Sequence, residues 1–477
     1  MSSYKSLMLE PKLDRRKFLY TAGMAAVLPS LSEPFLAAMR TIDPMVRADY
    51  ALRIEPVSLE IAPGILVKTT AYNGEVPGPL LRLKEGVPVT IDVTNASINE
   101  DIVHWHGLVI DSRNDGAAEE GSHVIPPGKS LRYSFSPKPA GTRWYHSHAM
   151  AMTNLKLSGY SGQFGFLLVE GREPKPQADL EVNLAVHHWE GAFVPSVETM
   201  RNESANRPQT CGSDVGYKYA TFNGHMLGAG EPIRVKKGQR VLFRLLNASP
   251  TENTMLALPG HTFKIITMDG NPVPNPKSVE IISLAVAERI DAIVEMHNPG
   301  VWVLGSAVGA ERAKGLGIVI EYAGSSGEPI WRDPIPAEWD YTQFAANETI
   351  LNPAETFTLT FRDAGNLKGS KFDTWTINGE AWPNVTPMMI EQGKRYRMIL
   401  RNASGDQHPM HLHRHSFEVT KIGERTLSGL IKDTINVMPL QTVALDFLAN
   451  NPGDSLFHCH QQLHMDYGFM QIFKYKA

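Results

Sequence analysis

The chain has 477 residues and a formal net charge of −4, and charged side chains make up 20% of it. This length predicts about three domains of ordinary size. A slightly negative charge, with no strongly basic run after the N-terminus, argues against a protein that binds nucleic acid. Only two cysteines are present, Cys211 and Cys459, so no internal disulfide can form if Cys459 binds a metal.

The N-terminus predicts an export signal. Arg15 and Arg16 precede Phe18 and a short apolar stretch, residues 20–31, and this order resembles the signal that the twin-arginine export machinery recognises. The apolar stretch is too short to span a membrane. We therefore expect a periplasmic protein without stable membrane insertion after processing, with residues 1–45 as signal and lead. The alternative is a basic, disordered tail.

An internal repeat organises the rest of the chain. Three segments start with an Asn-Gly pair and end with an Asn-Ala-Ser triplet, which we interpret as turn chemistry rather than as glycosylation sites. Short apolar runs between Gly, Pro and Asn predict strands, and long helical patterns are scarce. The expected fold is all-β, with three sandwich-like units at residues 46–173, 174–325 and 351–477 and a linker at 326–350. The pairs begin at Asn73, Asn223 and Asn378, and the triplets begin at Asn95, Asn247 and Asn402.

Paired histidines recur in the first and third units. Because side chains alternate along a strand, a His-x-His step points two imidazoles to one face. A single pair arises easily by chance, whereas four pairs, one of them enclosing a cysteine, predict metal binding. The pairs are His104 and His106, His146 and His148, His411 and His413, and His458 and His460.

Equivalent positions of the three units differ in their chemistry. Cys459 is matched by Ser147 in the first unit and by Ser306 in the second, and His408 is matched by Asp101 and Thr254. Only the third unit can therefore form a His₂Cys set, from His408, Cys459 and His464, and this set is the signature of blue copper. The second unit has lost every ligand. The eight remaining histidines suit a copper cluster between the first and third units.

These motifs resemble those of the three-domain multicopper oxidases, the laccase family, in family order and over essentially the whole mature chain. The resemblance implies three cupredoxin-like Greek-key β-barrel domains and four coppers. It also implies that electrons leave the donor singly at type 1 copper and reduce dioxygen to water at a trinuclear cluster. The implied ligands are His408, Cys459 and His464 for type 1 copper, His104 and His411 for type 2, and His106, His146, His148, His413, His458 and His460 for the type 3 pair.

Within this resemblance, residues around Cys459 take on catalytic roles. Cys459 is bonded directly to both His458 and His460, so one strand links the donor site to two cluster ligands. Asp115 matches the aspartate that follows the first histidine pair of the family. The axial position, ten residues past the cysteine, holds Phe469, which cannot coordinate and should raise the reduction potential.

The proton-delivering acid of the family is replaced. Many relatives carry a carboxylate three or six residues past the cysteine, where this chain has Gln462 and Met465. Because proton delivery to reduced oxygen needs positioned acids, Asp466 is the remaining candidate near this segment.

Several functions fit the predicted sites to different degrees. A laccase-like oxidase of phenols and aromatic amines is favoured because no Met-rich insert points to a metal substrate. The runner-up is an oxidase of Cu(I), Fe(II) or Mn(II). A complete ligand set argues against a copper-free relative that serves cell division, and a two-copper nitrite reductase would not need six type 3 histidines. His187 and His188 lie in the ligand-free second unit, so we interpret them as structural.

Overall fold

The computed structural model describes residues 47–172, 178–196, 212–348, 352–366 and 371–476. Three consecutive pairs of β-sheets account for most of these residues. The predicted export signal and Cys211 lie outside the described residues. None of the helices in the described part of the chain has the length and apolarity that crossing a membrane requires.

The first pair of sheets has four strands in each sheet, in the orders β2-β1-β4-β6 and β3-β8-β7-β5. The strands are β1 (Tyr50–Ala62), β2 (Ile65–Tyr72), β3 (Gly78–Lys84), β4 (Val89–Asn95), β5 (Val103–His104), β6 (Ser130–Phe135), β7 (Gly141–Ser147) and β8 (Phe164–Glu170). Helix α1 (Ser112–Asp115) and the 3₁₀ turns Ala118–Glu120 and Ser158–Tyr160 belong to its loops.

The second pair has a six-stranded sheet, β10-β9-β12-β17-β14-β15, and a five-stranded sheet, β11-β19-β18-β13-β16. The strands are β9 (Leu180–Pro195), β10 (Ser213–Phe222), β11 (Ile233–Val235), β12 (Arg240–Asn247), β13 (Thr254–Ala257), β14 (Phe263–Met268), β15 (Asn271–Val279), β16 (Ile281–Leu284), β17 (Arg289–Glu295), β18 (Val301–Ser306) and β19 (Gly317–Tyr322). Helix α2 (Gly309–Ala313) connects the last two strands.

The third pair repeats this plan, with the orders β21-β20-β23-β28-β25-β26 and β22-β30-β29-β24-β27. The strands are β20 (Glu355–Asn366), β21 (Asp373–Ile377), β22 (Met388–Ile390), β23 (Arg395–Asn402), β24 (His408–Leu412), β25 (Phe417–Ile422), β26 (Arg425–Lys432), β27 (Thr434–Val437), β28 (Thr442–Leu448), β29 (Ser455–Cys459) and β30 (Met470–Tyr475). Helix α3 (Gln462–Asp466) follows β29, and a 3₁₀ turn, Tyr341–Phe344, precedes this domain.

Strand pairing confirms the repeated all-β fold. In each domain the first long strand runs parallel to the fourth, as β1 with β4, β9 with β12 and β20 with β23. The second sheet of each domain likewise contains one parallel pair, β3 with β8, β11 with β19 and β22 with β30. Because topology repeats along with the motifs, equivalent positions in the three domains can be compared directly.

The repeated Asn-Gly pairs form tight turns. Asn73 and Gly74 have φ angles of 54° and 74°, and the pairs at Asn223 and Asn378 also have positive φ at both residues. Asparagine and glycine tolerate this conformation, which a type I′ turn requires. The side chain of each asparagine also bonds the first strand of its domain, as Asn73 does with the amide nitrogen of Arg53 at 2.6 Å.

The Asn-Ala-Ser triplets are buried turns, as their interpretation as turn chemistry predicts. The amide groups of Asn95, Asn247 and Asn402 donate to backbone carbonyls of the same domain. In each triplet the serine backbone nitrogen donates a hydrogen bond to the side-chain oxygen of the asparagine, at 2.9 to 3.0 Å. A buried asparagine side chain with these partners cannot carry a glycan.

Alternating apolar residues explain the strands and the core. In β4, Val89, Ile91 and Val93 point inward, while Thr90 and Asp92 are half-buried. The first domain has its own apolar core, whereas the cores of the second and third domains form one continuous cluster. Phe344, which lies in the segment expected to be a linker, is fully buried in that cluster.

Candidate metal centre

The His₂Cys residues converge in the third domain. Strand β24 pairs with β29 so that Met410 lies opposite Cys459, and α3 carries His464 back toward β29. The Cys459 sulfur lies 3.9 Å from Nδ1 of His408 and 3.6 Å from Nδ1 of His464. All three side chains are buried, and their ligand atoms lie within 4.8 Å of one another.

Burial sets the protonation of these ligands. It lowers the pKa of His408 well below its usual value and that of His464 to about 3. Both imidazoles are therefore neutral near pH 7 and have a lone pair available for a metal. Burial also raises the pKa of the Cys459 thiol, so a thiolate should form here when a metal replaces the proton.

Phe469 lies beside this set. Its ring centroid is 4.8 Å from that of His408 and 6.3 Å from that of His464, and its carbonyl accepts a hydrogen bond from the Cys459 amide nitrogen at 3.1 Å. The next residue, Met470, pairs with His458 on β29 and packs into a separate apolar cluster. The structure thus places the phenyl ring, and not the thioether, against the His₂Cys residues.

Eight histidines meet between the first and third domains. His104 lies opposite His146 across β5 and β7, and His411 lies opposite His458 across β24 and β29. Rings from the two domains stack directly, and the ring centroids of His104 and His413 lie 4.0 Å apart. The full set is His104, His106, His146, His148, His411, His413, His458 and His460.

The eight imidazoles form overlapping groups in the structure, and the resemblance to the family divides them into two trios and a pair. The ligand atoms of His148, His413 and His458 lie within 4.8 Å of one another. The ring centroids of a second trio lie 5.0 to 5.6 Å apart. This trio is His106, His146 and His460, and the remaining pair is His104 and His411.

Unpartnered ring nitrogens test whether these residues suit a metal. Six of the eight imidazoles have a buried ring nitrogen without a hydrogen-bond partner. In His104, His146 and His411, Nδ1 lies 2.8 to 2.9 Å from a backbone carbonyl oxygen, so Nδ1 carries the proton and Nε2 is bare. Bare, oriented imidazole nitrogens are suitable ligands for copper, and the residues present fit that metal.

Two buried acids of the first domain, Asp115 and Glu120, contact histidines of this cluster. Asp115 Oδ2 lies 2.8 Å from Nδ1 of His413 and 3.2 Å from Nδ1 of His104. Glu120, which the sequence patterns do not single out, lies 3.5 Å from the same nitrogen of His413. Burial, and then the nearby Asp115 charge, raise the pKa of Glu120 well above its usual value. The glutamate follows Asp115 by five residues, but no motif distinguishes it from a surface acid.

Asp433 is a second residue that the sequence patterns miss. Its Oδ1 lies 3.1 Å from Nε2 of His106, and its carbonyl oxygen lies 2.8 Å from Nδ1 of His411. Burial by itself raises the pKa of Asp433, but attraction to Arg289, and further to Arg143, holds that pKa below its usual range. An ionised, buried aspartate therefore contacts one histidine of the second trio, His106, and one of the remaining pair, His411.

Gln462 lies between Asp466 and the histidine cluster. Its Nε2 donates to Asp466 Oδ1 at 2.8 Å, and its Oε1 accepts a hydrogen bond from the Gly159 amide nitrogen at 3.1 Å. Gln462 also lines a small cavity of about 20 Å³ that is bounded by His146 and His460. Burial raises the pKa of Asp466 to about 7. Asp466 thus lies one side chain away from this cavity.

In the first domain, Asp101, Ser147 and Gln163 form a hydrogen-bonded trio at the positions equivalent to His408, Cys459 and Phe469. Ser147 Oγ donates to Asp101 Oδ1 at 2.6 Å, and Gln163 Nε2 donates to Asp101 Oδ2. The Ser147 amide nitrogen bonds the Gln163 carbonyl, as Cys459 bonds that of Phe469. These polar side chains satisfy one another's hydrogen bonds, and none of the three is a histidine or a cysteine. The second domain has Thr254, Ser306 and Leu316 at these positions.

The histidines of the second domain have structural partners. His187 Nδ1 lies 2.7 Å from the Ala248 carbonyl oxygen. His188 lies between Ser249 Oγ at 2.7 Å and Glu311 Oε2 at 2.8 Å. Both imidazoles are buried and take part in the packing of this domain.

Comparison with known proteins matches each of the three domains. Family models described as multicopper oxidase match residues 54–174, 196–318 and 351–477. The chain is 28% identical over 469 residues to Multicopper oxidase MmcO of Mycobacterium tuberculosis, covering 93% of this chain and 89% of the relative. It is 25% identical over 482 residues to Laccase-1 of Botryotinia fuckeliana, covering 91% and 83%. A solved multi-copper oxidase from Pseudomonas thermotolerans is 25% identical with a TM-score of 0.71, covering 90% of this chain and 100% of that one.

Proposed function

Because this chain belongs to the multicopper oxidase family, we propose that it is a laccase-like enzyme that oxidises phenols and aromatic amines one electron at a time. Members of this family use copper, dioxygen and a reducing substrate. The observation that carries the proposal is the direct bonding of Cys459 to His458 and His460. A buried His₂Cys set and an eight-imidazole cluster are thereby joined through one strand.

The resemblance to the family assigns the expected copper ligands, and the proximity of these side chains supports that assignment. Type 1 copper would be held by the His₂Cys set, type 2 by His104 and His411, and the type 3 pair by the two histidine trios. When bound, copper supplies the redox centres and the place where dioxygen is reduced to water.

The chain's own groups orient these ligands. Asp115 contacts Nδ1 of both His104 and His413, which directs their Nε2 atoms toward the cluster. His458 Nδ1 lies 2.8 Å from the Cys459 carbonyl oxygen, which adds a hydrogen bond to the covalent link between the two sites. The buried, apolar surroundings of Cys459 keep water away from the thiolate.

Aromatic residues near His464 favour an organic donor. The His464 ring lies 4.1 Å from Trp375, and Phe372 stacks on Tyr467 just past α3 at 4.5 Å. Trp375 and Phe372 are buried and make the surroundings of His464 apolar. Such surroundings suit an aromatic donor better than Mn(II), whose preferred ligands are carboxylate, carbonyl and water oxygens. The similarity to a fungal laccase also supports this substrate class.

Steady-state kinetics on one copper-loaded preparation test the proposal. We expect kcat/KM for a methoxyphenol to exceed that for Cu(I) or Fe(II) by at least tenfold. Higher values for either metal ion would instead favour the metallo-oxidase alternative. Cys459→Ser is the matched control, because serine is a poor mimic of a thiolate. This variant should lose the blue absorption band and all turnover while the other coppers stay largely bound.

We further propose that the protein is exported to the periplasm by the twin-arginine pathway. The support is the paired arginine of the N-terminus, and folded export suits a metalloprotein because ligand binding and folding are coupled. Replacing both Arg15 and Arg16 by lysine should abolish periplasmic activity in fractionated cells. Unchanged periplasmic activity would contradict this targeting.

A further inference from the structure

Six charged side chains are buried together where the three domains meet. Three are cationic and three are anionic, so their formal charges cancel, and each is at most 1% exposed. Each domain supplies one cation, and the second domain supplies two of the three acids. The residues are Arg143 of the first domain, Asp269, Glu288 and Arg289 of the second, and Lys432 and Asp433 of the third.

Arg289 holds Asp433 by two parallel hydrogen bonds. Its Nη1 donates to Asp433 Oδ1 at 2.8 Å, and its Nη2 donates to Oδ2 at 2.5 Å. Arg143 approaches the same carboxylate at 3.4 Å. A planar guanidinium with two bonds fixes both the position and the rotation of a carboxylate.

Asp433 in turn determines which nitrogen of two histidines is bare. An ionised carboxylate only accepts hydrogen bonds, so Nε2 of His106, 3.1 Å away, carries the proton and Nδ1 is left bare. The Asp433 carbonyl oxygen accepts from Nδ1 of His411, which leaves Nε2 bare. The nitrogens left over by this assignment, Nδ1 of His106 and Nε2 of His411, are the ones that lack a partner.

The second domain also fixes the backbone around Asp433. Asp269 Oδ2 accepts hydrogen bonds from the amide nitrogens of Asp433 and Thr434 at 3.3 and 3.1 Å. The same oxygen lies 2.9 Å from Lys432 Nζ, and Glu288 lies 3.0 Å from that nitrogen. Packing at this junction is tight, since a Cβ on Gly107 would lie 2.6 Å from Asp433 Oδ2.

We propose that the second domain, which has no copper ligand, positions the copper ligands His106 and His411 through the Arg289–Asp433 pair. Arg289 is a positioning residue, because it holds Asp433 by hydrogen bonds and Asp433 in turn contacts both histidines. The inference rests on copper binding at these imidazoles and does not depend on which donor the enzyme oxidises. It gives the ligand-free domain a role in the cluster that motif comparison alone does not suggest.

Arg289→Lys is the primary test, because lysine keeps the charge but cannot make two parallel hydrogen bonds. Partners of metal-binding histidines typically contribute about 10- to 100-fold to metal affinity or activity. We expect copper affinity of the cluster to fall by about that factor and the hyperfine splitting of the type 2 electron paramagnetic resonance signal to change. The blue band of type 1 copper should persist, since none of the six charges contacts His408, Cys459 or His464.

Arg244→Lys is the matched control. Arg244 makes a similar hydrogen bond in the second domain, 2.7 Å to Asp291, and also bonds Thr142 of the first domain, but it contacts no histidine. Its copper content and type 2 signal should match those of the unmodified protein. An equal change in both variants would mean that any disturbed interface charge alters the cluster, and would overturn the specific role of Arg289.

Asp433→Asn keeps the test decisive if the lysine variant does not fold. Asparagine has nearly the same shape but no longer forces a proton onto Nε2 of His106, so the type 2 signal and copper affinity should again change. Full copper content with an unaltered type 2 signal in a folded variant would overturn the inference. A normal cluster without phenol oxidation would count against the laccase proposal alone.

Discussion

At the scale of single residues, Phe469 is the side chain best placed to tune the type 1 site. Its phenyl ring packs beside His408 and offers copper no donor atom. Phe469→Met would add a weak thioether ligand, which stabilises Cu(II). We expect the type 1 reduction potential to fall by on the order of 59 mV, a tenfold change in a one-electron equilibrium. Redox titration of the blue band measures this shift, and turnover of high-potential phenols should drop with it.

Met470→Leu provides the control for this register. Met470 packs with Leu456, Met465 and Ile472, away from the His₂Cys residues, and leucine conserves its volume and apolarity. The type 1 reduction potential of Met470→Leu should therefore equal that of the unmodified protein. A potential that follows Met470 and ignores Phe469 would show that the axial assignment is wrong.

Glu252 should make the unfolding free energy of the protein depend on pH. Burial, and then the nearby charges of Asp214 and Glu311, raise its pKa from 4.5 to about 7. Between pH 4.5 and about pH 7, Glu252 therefore keeps a proton in the folded protein that the unfolded chain releases. The free energy of unfolding thus falls as pH rises through this window. Glu252→Gln should have a higher thermal midpoint than the unmodified protein at pH 8, and the difference should shrink at pH 5.

Calorimetry at the two pH values measures this difference. The exposed Glu328 offers the control, because Glu328→Gln changes the same functional group at the surface. A stability difference for Glu252→Gln that is equal at pH 5 and pH 8 would exclude titration of Glu252 as its cause.

Among the elements, the turn that leads into β24 orients His408, one of the His₂Cys residues. Asn402 Oδ1 accepts a hydrogen bond from Ser404 Oγ at 2.8 Å, and that hydroxyl lies 2.7 Å from Nε2 of His408. Asn402 Nδ2 donates to the Asp406 carbonyl oxygen at 2.7 Å. The repeated Asn-Ala-Ser triplet has thus become, in the third domain, part of the support of the metal site.

Asn402→Ala should weaken both the fold and this support. Leaving buried carbonyls without a donor costs about 1–3 kcal/mol of unfolding free energy, which denaturant titration measures. The blue band should also shift or broaden because His408 loses its fixed orientation. The exposed Asn384→Ala should change neither quantity, and an unshifted band in folded Asn402→Ala would mean that Ser404 orients His408 unaided.

Whether the sequence predicts a contact of the site depends on how far apart the two residues lie along the chain. His458, Cys459 and His460 are predictable because strand alternation and chain adjacency place them, and the Asn-Gly turns are predictable because they are local. The Arg289–Asp433 pair joins residues 144 positions apart, and Asp433 reaches His106 across 327 positions. Neither residue belongs to a repeated motif, and buried ion pairs have no local pattern, so only the packing of three domains brings them together.

At the scale of the whole molecule, the three domains have diverged from one plan into different roles. The first and third domains supply the eight histidines of the cluster, and within the described residues the third alone has the His₂Cys set. In its described residues the second has neither of these sets, but it shares a continuous apolar core with the third and contributes Asp269, Glu288 and Arg289 to the buried charges. Loss of metal chemistry in one copy is therefore compatible with retention of that copy as a support.

Copper should act as a cross-link between the first and third domains. The main apolar core of the first domain is distinct from that of the third, and in the described part of the chain only smaller apolar clusters connect the first domain with the other two. Its four cluster histidines meet four from the third domain. A ligand that binds only the folded state stabilises it by about 4 kcal/mol at a concentration a thousandfold above its Kd. Copper removal should therefore lower the thermal midpoint and turn one cooperative transition into a broader or two-step one.

Differential scanning calorimetry of the copper-loaded and copper-free protein measures this cross-link, with Cys459→Ser as the comparison. That variant should lose type 1 copper, which is held within the third domain, but keep the coppers that join two domains. Its unfolding should stay close to that of the loaded protein in cooperativity. Should it unfold like the copper-free form while still holding its cluster, the type 1 site would be the main source of copper-dependent stability. Identical midpoints with and without copper would contradict any cross-linking by the metal.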